Sequence, residues 1–241
     1  MIDMWKVTVF FPVIFAHLKS EDSRMHQRQH PGRRWWQYKR TWLIGVPAAL
    51  VLGVVGLFVW GQFQPRPAGF APTDPDEVAI VTEEWTRYTL DATSTADWVL
   101  FDFEKGRVVD GDFTSPGWDV AFRRTKLLTN SGVTNRSGPG GAFDLGEVPL
   151  ETANPPASVA FTVDRLGGDD DDEPENPAAG RWYSYSFISH IVSVKPNTYL
   201  MRTGESRDAM IQFDSYYCED EESGCITFRY RLIPKVADAT S

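Results

Sequence analysis

The chain has 241 residues, 42% hydrophobic, 24% charged and 13% aromatic, which is room for one ordinary domain with an appendage. That content is too apolar for a wholly disordered protein, and the formal charge of −9 excludes a general nucleic-acid binder, which needs basic patches to neutralise phosphates. The average hides a split: residues 1–60 hold eight Lys/Arg against three Asp/Glu, a net of +5, whereas residues 61–241 hold sixteen against thirty, a net of −14.

In chain order, residues 1–40 form a basic segment that opens with an apolar stretch, Met4 to Leu18. Fifteen residues with Lys6 and Pro12 inside are too few to span a bilayer, so an interfacial or re-entrant stretch is expected, a loose tail being the plainer reading. Residues 41–60, TWLIGVPAALVLGVVGLFVW, carry no charge. At about 1.5 Å rise per residue, twenty residues cross a hydrocarbon core of roughly 30 Å, so a transmembrane helix is predicted here. Trp35, Trp36 and Tyr38 flank one end and Trp60 and Phe63 the other, as rings at two headgroup levels do. Arg33, Arg34 and Arg40 join Arg24, Arg28 and Lys39 on the N-terminal side, and this bias keeps the N-terminus in the cytoplasm. A cleaved signal peptide fits poorly, because the run is long, sits behind forty residues and lacks an A-x-A site after it. The expected location is a bacterial inner membrane, crossed once, with the acidic part periplasmic.

Residues 61–76 are rich in Pro and Gly and read as a semi-rigid linker, followed by a domain at 77–236 and a short tail at 237–241. A helical turn is possible at Pro75–Glu84, and beyond it strand patterns dominate. Trp118, Val120 and Phe122 alternate with Asp119, Ala121 and Arg123; Ile211 and Phe213 alternate with Gln212 and Asp214; Ile226, Phe228, Tyr230 and Leu232 alternate with Thr227, Arg229 and Arg231. Period two places one face of an antiparallel sheet in a core. Further strand candidates are Trp85–Asp91, Trp98–Val109, Ser158–Val163, Trp182–Val194 and Thr198–Thr203. The predicted fold is mainly β, two-layered or barrel-like, preceded by one transmembrane α-helix. Cys218 and Cys225 enclose EDEESG between two strand patterns, which suits a hairpin closed by a disulfide in an oxidising compartment.

Little here points to catalysis. Beyond the membrane segment there is one histidine, His190, and no G-x-S-x-G, HExxH or CxxC motif. The Gly-rich loop Asn130–Asp144 lacks the GK[ST] ending of a P-loop, and the acidic loop Gly167–Gly180 lacks EF-hand spacing. Two thiolates without a nearby histidine fall short of a zinc site, so neither an enzyme nor a metal site is expected. His190, within SFISHIVSV, is expected on a strand sharing a face with Ile188 and Val192, where a partly buried structural histidine is the commoner case.

Several phrases carry a family resemblance. WDVAFRRTKLLTNSG (Trp118–Gly132), then GPGGA (Gly138–Ala142), TYLMRTGESRDAMIQFDSYY (Thr198–Tyr217) and GCITFRYRL (Gly224–Leu232) resemble HmuY-like haem-binding proteins, in order over most of Glu77 to Leu232. The resemblance implies an all-β, hand-like fold, usual on lipoproteins and secreted proteins, that grips haem between loops at the fingertips. It also implies two axial side chains, His–His in some members and Met in others. Between Gly132 and Tyr199 the one candidate is His190, with Met201 and Met210 as the thioethers farther on. Met210 falls on the polar face of its strand with Gln212 and Asp214, from which it would point to a pocket.

Two functional expectations follow. The first, with no cofactor, is a non-catalytic accessory subunit that clamps a larger membrane complex, photosynthetic or respiratory, through the span, the N-terminal stretch and exposed aromatics. Its partners would be the lipid bilayer and other subunits, with no nucleic acid. The alternative is a membrane-tethered binder of haem or a related tetrapyrrole, for uptake or storage, using His190 with Met201 or Met210. A periplasmic sensor or anti-sigma-like regulator is a weaker third, since forty cytoplasmic residues hold no domain pattern.

Overall fold

In a computed structural model, residues 34–74, 85–167 and 172–234 are described. Expectations for Met4–Leu18, Arg33, Pro75–Glu84 and the 237–241 tail lie outside the described residues. The chain divides into two compact units, 1–52 and 53–241. Among the described residues the first contains the start of helix α1 (Arg34–Gln62), in which Arg34, Trp35, Trp36, Tyr38 and Arg40 fall within the opening turns. The window Gly45–Gln62, with a mean hydropathy of 1.7, is long and apolar enough to cross a membrane. Only 6% of that window is buried, which is the opposite of a core helix in a water-soluble protein.

The second unit is an antiparallel β domain. Its strands are β1 (Thr86–Asp91), β2 (Val99–Asp102), β3 (Arg107–Val109), β4 (Val120–Arg123), β5 (Lys126–Thr129), β6 (Gly141–Asp144) and β7 (Arg165–Leu166), then β8 (Pro174–Glu175), β9 (Tyr183–Tyr185), β10 (Val192–Val194), β11 (Thr198–Arg202), β12 (Asp208–Tyr217) and β13 (Ser223–Leu232). A five-stranded sheet runs β1-β13-β12-β11-β6 and a four-stranded sheet β3-β2-β4-β5; β9–β10 and β7–β8 are separate hairpins. The two larger sheets close on an aromatic core. Tyr88, Ile211, Phe213, Ile226, Phe228 and Tyr230 from one meet Phe101, Val120, Phe122 and Leu127 from the other. Phe101 packs edge to face on Phe228 at 5.2 Å, and the Phe122 ring stacks on the Phe228 ring at 6.1 Å.

Both sheets are partly covered on their outer faces as well. Trp118, Leu100, Ala121 and Leu128 pack behind the four-stranded sheet. Behind the five-stranded sheet, Leu200, Met210 and Ala153 pack with Phe143, Leu145, Val148 and Phe161. This doubling explains two departures from simple alternation. Trp118 lies behind the sheet, away from the face of Val120 and Phe122, because strand geometry begins only at Val120. Met210 does not point to a pocket, since apolar side chains of the 143–161 region and Trp85 cover that face. Ser158–Val163 likewise forms no strand and contributes a single bridge, Thr162 to Ala142.

Two buried polar side chains tie the layers. Asp119 accepts hydrogen bonds from the backbone N–H of Phe103 and of Gly204, both at 2.7 Å, joining the four-stranded sheet to the β11–β12 turn. Asn130 donates to the Trp118 carbonyl at 2.7 Å, and its own carbonyl accepts from Gly140 N–H at 2.9 Å. Asp164 is buried too, accepting from Thr129, Thr134 and Asn176. Each satisfies backbone groups that would otherwise be orphaned in the interior.

The Pro/Gly-rich segment after α1, expected as a semi-rigid linker, is laid along the domain. Phe70 N–H donates to the Tyr217 carbonyl at 2.9 Å, Ser215 Oγ to the Ala68 carbonyl at 2.6 Å, and Thr73 N–H to the Thr89 carbonyl at 2.8 Å. Thr73 thereby pairs the outer edge of β1, an exposed edge that would otherwise invite other chains. Cys218 and Cys225 form the disulfide, closing the β12–β13 turn.

A Cβ placed on Gly69 would stand 1.8 Å from the Cys218 carbonyl oxygen. Gly69→Ala should therefore lift the segment and cost about 1–3 kcal/mol through its lost hydrogen bonds, read as a lower unfolding midpoint and new proteolysis near residues 64–74. Burial pushes the Asp119 carboxyl up to about 7, against its two amide donors. A carboxyl that binds its proton more tightly folded than unfolded adds stability below about pH 4 and loses it as pH rises through its folded pKa. The unfolding free energy should thus fall between about pH 4 and 7 and level off above, and Asp119→Asn should flatten that slope in denaturant titrations.

Candidate functional site

The β9–β10 hairpin supplies the site. Three tyrosine-flanked residues, Tyr183–Tyr185, pair with Val192–Val194, and the six residues between them fold into one tight turn instead of continuing a strand. Ser186 N–H donates to the Ile191 carbonyl at 2.9 Å, and His190 N–H returns to the Ser186 carbonyl at 2.8 Å. His190 closes this turn in the left-handed region at φ 55°. Glycine takes that conformation most readily, and asparagine, aspartate and histidine are the side chains that most often adopt it. The sequence reading of His190 on a strand face with Ile188 and Val192 is therefore corrected: the turn removes it from any ladder.

Inside the turn the Tyr185 hydroxyl lies 2.5 Å from His190 Nδ1. With the proton on Nδ1, the imidazole donates to the phenol oxygen and Nε2 keeps its lone pair, with no protein partner among the described residues. Metal-binding histidines are oriented in this manner, through the ring nitrogen that does not bind the metal. The hairpin is itself anchored: Trp182 Nε1 donates to the Thr125 carbonyl at 3.1 Å, and Val192 N–H to the buried Tyr217 hydroxyl at 2.9 Å.

A cleft of about 610 Å³ opens beside His190. Tyr183, Tyr185, Tyr216 and Tyr217 wall it, and Arg66 and Arg124 stand at it with Glu221 and Glu222. Its size falls in the range of small-molecule sites. Arg124 occupies the two-residue β4–β5 turn in left-handed backbone at φ 54° and donates to Ser223 at 2.6 and 2.8 Å. Arg66, from the segment after α1, donates to the Glu221 carbonyl at 2.9 Å. Burial raises the Tyr216 hydroxyl above its ordinary value, so it stays a neutral donor at physiological pH.

Of the residues singled out in the sequence, His190 alone reaches this cleft. Met201 lies in the aromatic core between the sheets and Met210 in the cluster behind the five-stranded sheet, both fully buried. Cys218, Asp220 and Glu222 offer three atoms close together, but the Cys218 sulfur is already held in the disulfide. Sequence reasoning missed the tyrosines and arginines. The Tyr-Ser-Tyr run five residues before His190 was a local signal for a hairpin, whereas Arg66, Arg124 and Tyr216 arrive from segments remote in sequence.

Comparison with known proteins agrees with the fold. The family model for HmuY protein matches residues 94–230, more than half the chain. No curated protein matches. Among solved structures, a candidate lipoprotein of Bacteroides fragilis NCTC 9343 superposes with a TM-score of 0.51 at 18% identity, covering 66% of this chain and 96% of its own. The apo HmuY analogue of Tannerella forsythia gives 0.50 at 17% identity, covering 66% and 100%. Apo PinO of Porphyromonas gingivitis gives 0.50 at 16% identity, covering 64% and 100%. At such identities the likeness is one of fold, in keeping with the antiparallel sheets, and on the family match over more than half of its length the chain belongs to the HmuY family.

Proposed function

We propose that the protein is a membrane-tethered binder of haem or a closely related tetrapyrrole, held in the His190 cleft on the far side of the cytoplasmic membrane. The observation that carries this reading is the Tyr185–His190 pair at the cleft: one ring nitrogen lies 2.5 Å from a hydroxyl, and the other has no protein partner among the described residues. The surroundings suit a macrocycle. Tyrosine rings offer flat apolar walls, and Arg66 and Arg124 are guanidiniums at the cleft able to take carboxylates, beside Glu221 and Glu222. When bound, the iron would supply a Lewis-acid centre for His190 Nε2, with no second imidazole beside it. The family match adds support, since HmuY proteins commonly bind haem. The apolar α1 serves as the tether, with the basic N-terminus cytoplasmic.

Haemin titrated into the full chain in mild detergent should produce a saturable Soret shift at one equivalent. His190→Ala should weaken it tenfold or more, and Tyr185→Phe by about tenfold, as loss of an orienting partner does. Met201→Leu and Met210→Leu should leave the spectrum unchanged, because both side chains are buried away from the cleft. No Soret change, or equal binding by His190→Ala, would refute the reading.

A second reading, an accessory subunit of a larger membrane complex, is favoured by one observation: His190 is the one imidazole at the cleft, and neither methionine reaches it. A domain that kept the fold and lost its ligand would look the same. Elution of the native protein inside a large complex, colourless by itself, would support this second reading over the first.

A further inference from the structure

We propose that the turn Ser186–Ile191 is a membrane-interface anchor that inserts Phe187 and Ile188 into the headgroup region beside the end of α1, so that the His190 cleft opens at the lipid surface. The inference rests on the tether in the preceding reading and is independent of haem. Beyond α1 and Phe63, six large apolar side chains are exposed among the described residues: Val133, Val163, Leu166, Tyr185, Phe187 and Ile188. Three of the six belong to this one hairpin, with Phe187 70% and Ile188 39% exposed. Soluble surfaces scatter such side chains singly; a contiguous group marks an interaction site.

What covers the group is indicated by its neighbour. The turn packs on the last turn of α1: the Phe58 ring meets Phe187 edge to face at 5.9 Å. Gly61 is buried against Ile188, so closely that a Cβ there would stand 2.5 Å from the Ile188 carbonyl oxygen. The same end of the helix carries Trp60 and the 80% exposed Phe63. Where that end leaves the hydrocarbon, the turn leaves with it. Aromatic rings with a polar handle, here Trp60 and Tyr185, favour this depth. The exposed apolar group is thus continuous with the membrane-crossing surface, and a lipid interface fits it. Because Tyr185 and His190 belong to the same hairpin, a flat amphiphilic ligand dissolved in the outer leaflet would meet the cleft without crossing water.

The test uses the full chain in liposomes. The two native cysteines are joined, so a single introduced cysteine is a unique labelling site. Phe187→Cys, Leu52→Cys and Val133→Cys are each labelled with an environment-sensitive fluorophore and exposed to lipids bearing nitroxides at shallow or deep positions. The expected result is strong quenching at 187 by shallow nitroxides, at 52 by deep ones, and none at 133. A water-exposed label at 187 with a quenched label at 52 overturns the anchor and leaves the tether intact. An unquenched label at 52 overturns the tether and the anchor together. Shielding of 187 in native membranes but not in pure lipid assigns the face to a protein partner and overturns the lipid proposal.

Discussion

The structure depends on a carboxylate taken out of water. Asp119 follows Trp118 just before β4 and holds the amide N–H groups of Phe103 and Gly204, one in each half of the β domain. Burying a carboxyl is expensive, and the cost is offset only where its oxygens meet aligned donors. That requirement fixes the β11–β12 turn against the four-stranded sheet. With the turn fixed, β12 and β13 are set in register and their rings close on Phe101 and Phe122. Asn130 repeats the device one layer out, holding the Trp118 carbonyl and Gly140 N–H.

The phrases that mark the family are largely these ties. WDVAF carries Asp119 and the start of β4, NSG and GPGG carry Asn130 and its backbone partners, and RTG carries the second amide on Asp119. They specify how the layers are joined. The cleft is built elsewhere, from a hairpin and from turns that the layers hold up. Family membership therefore speaks strongly about the fold and weakly about the ligand, and His190, Tyr185 and Arg124 have to be argued on their own geometry.

Several features were legible in the sequence because their causes are local. Twenty uncharged residues state their own length against a bilayer. Ile226, Phe228 and Tyr230 alternate because β13 offers one face to the core. Cys218 and Cys225 flank a short turn between strands, and antiparallel pairing brings such residues together. The failures came where a second layer intervened. Gln212 and Asp214 made the face of Met210 look polar, yet chain from the 143–161 region covers that end of it. The segment after α1 looked like a spacer since Pro and Gly carry no strand signal, while its hydrogen bonds go to Thr89, Ser215 and Tyr217, which no local pattern reveals.

The sequence alone determined the apolar helix, the antiparallel β class, the disulfide hairpin and the one histidine that follows the apolar helix. These follow from composition, period and spacing, which act over a few residues. Only the tertiary structure decided that His190 ends a left-handed turn against Tyr185, that four tyrosines and two arginines gather beside it, and that Phe187 lies on the last turn of α1. The first lies within one hairpin whose backbone course no pattern of residue types specifies; the other two are meetings of segments far apart in the chain, and their positions are set by how two sheets pack and by which buried polar groups must find partners.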